Sequence, residues 1–91
     1  METAISHWLF KRRDQLHIVS EILKVAKQGA SKTRIMYNVN LSFKGVNQYL
    51  NLMMENKLLL KAREDCNPVY YTSEKGLTFL SGYTQLVQLL Q

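Results

Sequence analysis

SKTRIMYNVNLSFKGVNQYL, Ser31 to Leu50, holds two short helical patterns with only Asn38-Val39-Asn40 between them. Ser31 is placed to cap the first, since a serine hydroxyl accepts an amide hydrogen that the first helical turn leaves unpaired. Lys32, Thr33 and Arg34 then fill the opening turn, and Ile35 and Met36 supply its apolar side. Asn38 or Asn40 is suited to end it, because asparagine tolerates a left-handed backbone better than most residues. Ser42 begins again as a cap, and Phe43, Val46, Tyr49 or Leu50, and Met53 recur at helical spacing as the expected buried row. Two helices meeting so abruptly form a corner whose second member keeps one face outside.

Upstream, apolar residues from Leu16 to Ala26 draw a helical stripe over 14–28, with Lys24 and Lys27 in its last turn and Gly29 as a C-cap. Downstream, Asn56 closes the third helix. Leu58–Arg63 and Val69–Thr72 read as strands, joined through the turn-forming Glu64-Asp65-Cys66-Asn67-Pro68. Thr72 or Ser73 caps a last helix from Glu74 towards Gln91. Gly76 and Gly82, each about 1 kcal/mol worse than alanine in a helix, are expected there to permit close packing. The order is three helices, a strand hairpin and a helix. It predicts a mostly α chain with a small β-hairpin wing, a winged helix-turn-helix. Residues 1–13 read as an apolar and basic extension, 14–75 as the domain, and 76–91 as a C-terminal dimerisation helix.

At 91 residues the chain has room for one modest core. Its net charge of +5 is unevenly spread: residues 1–45 hold 8 basic and 3 acidic side chains, 46–75 hold 4 of each, and 76–91 hold none. A positive field confined to the first half suits a polyanion. No carboxylate occurs from Ala30 to Met54. The lone Cys66 allows no intrachain disulfide, and no Cys or His pair has ligand spacing, so neither metal nor other cofactor is expected. No apolar run reaches membrane-spanning length. Nucleophile, base and orienting acid do not recur at a usable spacing, nor is there a Gly-rich phosphate loop, so neither an enzyme nor a small-molecule substrate is expected. The expected location is cytoplasmic, with the nucleoid.

With its apolar row inward, the third helix shows Ser42, Lys44, Asn47, Gln48 and Asn51. Asparagine and glutamine bind adenine bidentately in the major groove, and lysine reaches guanine or phosphate. Lys32, Thr33 and Arg34 open the second helix, where the helix N-terminus adds partial positive charge. Lys61 and Arg63 flank the wing, and Glu64 and Asp65 at its tip favour tracking the backbone over insertion. Lys11, Arg12 and Arg13 form either another phosphate patch or a solvated linker. The expected partner is double-stranded DNA.

The tail offers two overlapping apolar stripes that one helix cannot bury on so small a core. Phe79, Tyr83, Leu86, Val87 and Leu90 are expected to join two copies about a two-fold axis, with Trp8 either covering the same seam or folding back locally.

The run KTRIMYNVNLSFKGVNQYLNLMMENKLLL, followed by VYYTSEKGLTFL, resembles the small archaeal winged-helix DNA-binding proteins of about ten kilodaltons, over about residues 12–82. The resemblance rests on Lys32, Thr33, Arg34, Tyr37, Asn40, Leu41, Ser42, Tyr49 and Leu50. It implies a DNA-binding protein, transcriptional or chromatin-associated, that dimerises through its last helix. Here residues 76–91 of that helix carry no charge, so a shorter and more apolar interface is expected in place of the long, charged coiled coil that family members often have. The reading is a dimeric transcriptional regulator. The alternatives are a winged-helix protein-interaction module without nucleic acid, or an architectural DNA-binding protein with little sequence preference.

Overall fold

The structure, a computed structural model, describes the backbone of residues 4–62 and 67–91 and the side chains of residues 15–62 and 67–91. Helix α1 spans Ala4–Val25, α2 Lys32–Val39, α3 Phe43–Glu55 and α4 Glu74–Leu89. Strands β1 (Ala30–Ser31), β2 (Leu59–Ala62) and β3 (Val69–Thr72) form one antiparallel sheet in the order β1-β3-β2.

The caps fall where the hydroxyls are. Ser31 Oγ accepts the Arg34 N–H at 3.2 Å and Ser42 Oγ accepts the Gly45 N–H at 3.0 Å. Asn40 takes the left-handed backbone (φ 59°, ψ 54°) that turns the chain between α2 and α3, and its N–H bonds to the Met36 carbonyl. Gly29, at φ 97°, makes the corresponding bend after α1, and its missing side chain leaves room for the Tyr71 ring. A β-carbon there would be both strained and only 2.7 Å from that ring.

Three features depart from the sequence reading. The first helix begins at Ala4 rather than Asp14. β1 adds a third strand to the expected hairpin, pairing Ala30 with Tyr70 and Ser31 with Val69. Gly76 permits close packing, because any side chain would run into the Leu58 carbonyl oxygen, but beside Gly82 there is open space.

The core is built from one face of each helix: Ile22 and Leu23 of α1, with Ala26 just past its end, Ile35 of α2, and Val46, Leu50 and Met53 of α3, closed by Leu59, Tyr70 and Leu80. Thr72 and Ser73 join these parts. The Thr72 hydroxyl donates to the Leu23 carbonyl (2.6 Å) and its N–H to that of Ala26 (3.0 Å), so β3 satisfies the end of α1. Ser73 Oγ donates to the Lys57 carbonyl at 2.6 Å and accepts the Gly76 N–H at 3.0 Å, tying the α3–β2 turn to the start of α4. From that junction α4 runs antiparallel beside α1. Leu23 lies against Gly76, and farther along His17 and Ser20 share a groove with Tyr83, Val87 and Gln88. The paired helices stretch the molecule to 51 × 26 × 20 Å, with a radius of gyration of 14.0 Å, against about 12 Å for a compact domain of this length.

Candidate nucleic-acid interface

Helix α3 is anchored by Val46, Leu50 and Met53, which are fully buried and fix its rotation. What remains outside is polar. Ser42, Lys44, Gln48 and Asn51 are exposed and Asn47 is half-buried. On α2, Thr33 and Arg34 are exposed and Lys32 is half-buried. Both helices thus present their first turns, where the helix dipole is positive, beside lysine and arginine side chains, an arrangement suited to phosphate oxygens.

The hydroxyl of Ser42 has a structural duty as the α3 cap, which leaves its proton for another acceptor. Gln48 stands apart from Asn47: with Tyr49, Leu52 and Met53 it lines a cleft of about 510 Å³ that α1 and α4 complete through Leu16, Val19, Lys75 and Phe79. Lys61 is exposed on β2. Arg63 and the side chain of Trp8 lie outside the described residues, as do Glu64, Asp65 and Lys11 to Arg13 in their side-chain placement.

Three features were missed by the sequence reading. Phe43, assigned to the buried row, is 65 % exposed at the first position of α3, and the Lys32 ammonium sits 5.3 Å from its ring centroid. The helical period runs equally well from Val46 back to Phe43 or to Ser42, and periodicity alone does not choose. Tyr37, in the last turn of α2, is 76 % exposed. Lys24 and Lys27, read as helix-end charges, line a polar cleft of about 340 Å³ with Arg34, Gln28 and Asn38. The bend at Gly29 folds the end of α1 against α2, so the positive patch extends beyond α2. Glu21, 3.6 Å from both Lys24 and His17, borders it on α1.

On the tail, Phe79 packs against the core and Tyr83 and Val87 are half-buried, whereas Leu86, Leu89 and Leu90 are 56, 80 and 50 % exposed. Among the described residues no group of His, Cys, Asp or Glu is placed to hold a metal ion, and no helix is long and apolar enough to cross a membrane.

Residues 12–91 match the sequence family described as winged helix-turn-helix. An uncharacterized protein of Methanocaldococcus jannaschii is 29 % identical over 80 residues, covering 87 % of this chain and 78 % of its own. The fold is shared with Sso10a-2, a DNA-binding protein from Sulfolobus solfataricus, at a TM-score of 0.73 and 19 % identity over 81 % of this chain and 78 % of that one. A MepR mutant of S. aureus, bound to an oligodeoxyribonucleotide, also superposes at 0.73, with 14 % identity over 94 and 72 % of the two chains. A homodimeric winged helix-turn-helix DNA-binding domain from Mycobacterium bovis gives 0.62, with 14 % identity over 97 and 88 %.

Proposed function

The chain belongs to the winged helix-turn-helix family, and from that premise we propose that it is a dimeric, double-stranded-DNA-binding transcriptional regulator. The observation that carries this reading is the outer surface of α2 and α3. It presents Lys32, Arg34 and Lys44, followed by the amides of Asn47 and Asn51, with no carboxylate from Ala30 to Met54, while Gln48 borders the cleft towards α1 and α4. Cations at two helix N-termini hold phosphates. Amides along the exposed face of α3 meet base edges in the major groove. Lys61 and Arg63 of the wing follow the backbone, and Lys24 and Lys27 extend the phosphate track past Arg34. The DNA-binding neighbours, one of them holding an oligonucleotide, support the same assignment.

Dimerisation rests on the tail. Leu86, Leu89 and Leu90 leave an apolar, uncharged end of α4 in water. A second copy about a two-fold axis covers it, with Tyr83 and Val87 at the seam, Phe79 at its inner edge and Trp8 against it. A homodimeric neighbour of the same fold supports this.

The test is a DNA-binding titration at several salt concentrations. Each neutralised phosphate contributes about −0.9 to the slope of log K against log salt. A dimer using Lys32, Arg34, Lys44 and one wing cation per subunit should give roughly −4 to −8. Affinity unchanged between low and moderate salt would overturn the nucleic-acid reading.

A further inference from the structure

A single exposed apolar side chain means little by itself. Phe43 is distinguished by its place and its neighbour. It occupies the first position of α3, which the Ser42 cap fixes, and Val46, Leu50 and Met53 fill the core without it. In a helix docked in the major groove, it is the N-terminal residues that meet base edges. The Lys32 ammonium lies 5.3 Å from the ring centroid, within the range where a cation is attracted to an aromatic face. This contact ties the ring to the start of α2 and leaves the rest of it outside. Asn47 follows one helical turn later, on the same side of α3 as Phe43. The ring therefore stands next to an amide able to bind adenine.

We propose that Phe43 reads the thymine 5-methyl group in the major groove. The inference rests on the DNA-binding reading above and adds a base-selective contact to it. Among the four bases only thymine presents a methyl group there, and an apolar side chain recognises it by excluding water from both surfaces. With Asn47 on adenine and Phe43 against a thymine methyl, the first two turns of α3 would favour neighbouring A·T pairs. The Lys32 ammonium, held beside the ring, neutralises a phosphate at the edge of the same step, so ring and charge enter the groove as one unit.

The experiment uses A·T-rich duplexes that differ only in carrying deoxyuridine for thymidine, which removes the methyl and keeps every hydrogen-bonding group. Binding of the full chain is measured with single and complete replacements, and repeated with Phe43→Ala and Phe43→Leu. Circular dichroism checks that these exposed-site variants fold. At the contacted position, loss of the methyl should weaken the unmodified protein about four-fold, the factor for burying one methyl-sized group. Phe43→Ala should bind both duplexes equally, and Phe43→Leu should keep part of the difference. Because each comparison is made within one protein and then between proteins, any general effect of uracil on duplex shape cancels. DNA binding that ignores every replacement, or a methyl effect that survives Phe43→Ala, would overturn the assignment of Phe43 while leaving the DNA reading intact. Absence of DNA binding at low salt would overturn both.

Discussion

The Ser42 hydroxyl determines where α3 begins, and so which side chains stand at its tip. Replacing Ser42 by alanine should lower stability by about 1 kcal/mol, and aspartate should restore most of it, as read from urea unfolding. Such caps are what made the corner legible. Ser31 and Ser42 announce the two helices in the sequence and act as the pattern predicts, and of the two asparagines suited to end α2 it is Asn40 that takes the left-handed turn. Phe43 was not legible. Its hydrophobicity matches the core, and only the three-dimensional structure shows that α3 turns Val46, Leu50 and Met53 inward and leaves Phe43 outside. The basic cleft was equally hidden, since Lys24 and Arg34 meet only after the bend at Gly29 has formed.

The same contrast holds for whole elements. α2, α3, β3 and α4 follow from period, caps and turn residues. β1 is two residues long, and its pairing with Val69 and Tyr70 depends on a partner some forty positions away that no local pattern encodes. The start of α1 was misplaced because Lys11, Arg12 and Arg13, read as a boundary, are good helix formers and nothing before Asp14 breaks the helix. In α4 two glycines that look alike in sequence have opposite roles. Gly76→Ala drives a methyl into the Leu58 carbonyl and should destabilise the chain by about 3 kcal/mol. Gly82→Ala meets open space and should stabilise it by about 1 kcal/mol through helix propensity alone. Urea midpoints moving in opposite directions for the two variants are the expected result; a loss of stability in Gly82→Ala would place a close neighbour at that position.

For the molecule as a whole, charge and apolar surface are segregated: cations gather around α2 and α3, and the uncharged end of α4 is left bare. Leu86→Asp combined with Leu90→Asp should halve the sedimenting mass at micromolar concentration and remove the dependence of the melting temperature on protein concentration. A monomer from the unmodified chain would overturn the proposed dimer. The junction at Thr72 and Ser73 carries a consequence for such a dimer. Hydrogen bonds there clamp the end of α1, the α3–β2 turn and the first turn of α4 to one another, so the last helix leaves the domain with no swivel. Two copies joined through that helix then behave as a caliper with a locked jaw. The gap between their reading heads is set by the protein, and DNA must match it. Moving two half-sites apart by about five base pairs, half a turn of the duplex, should reduce affinity to that of one head. Adding a full turn should not restore it, because the face returns but the distance does not.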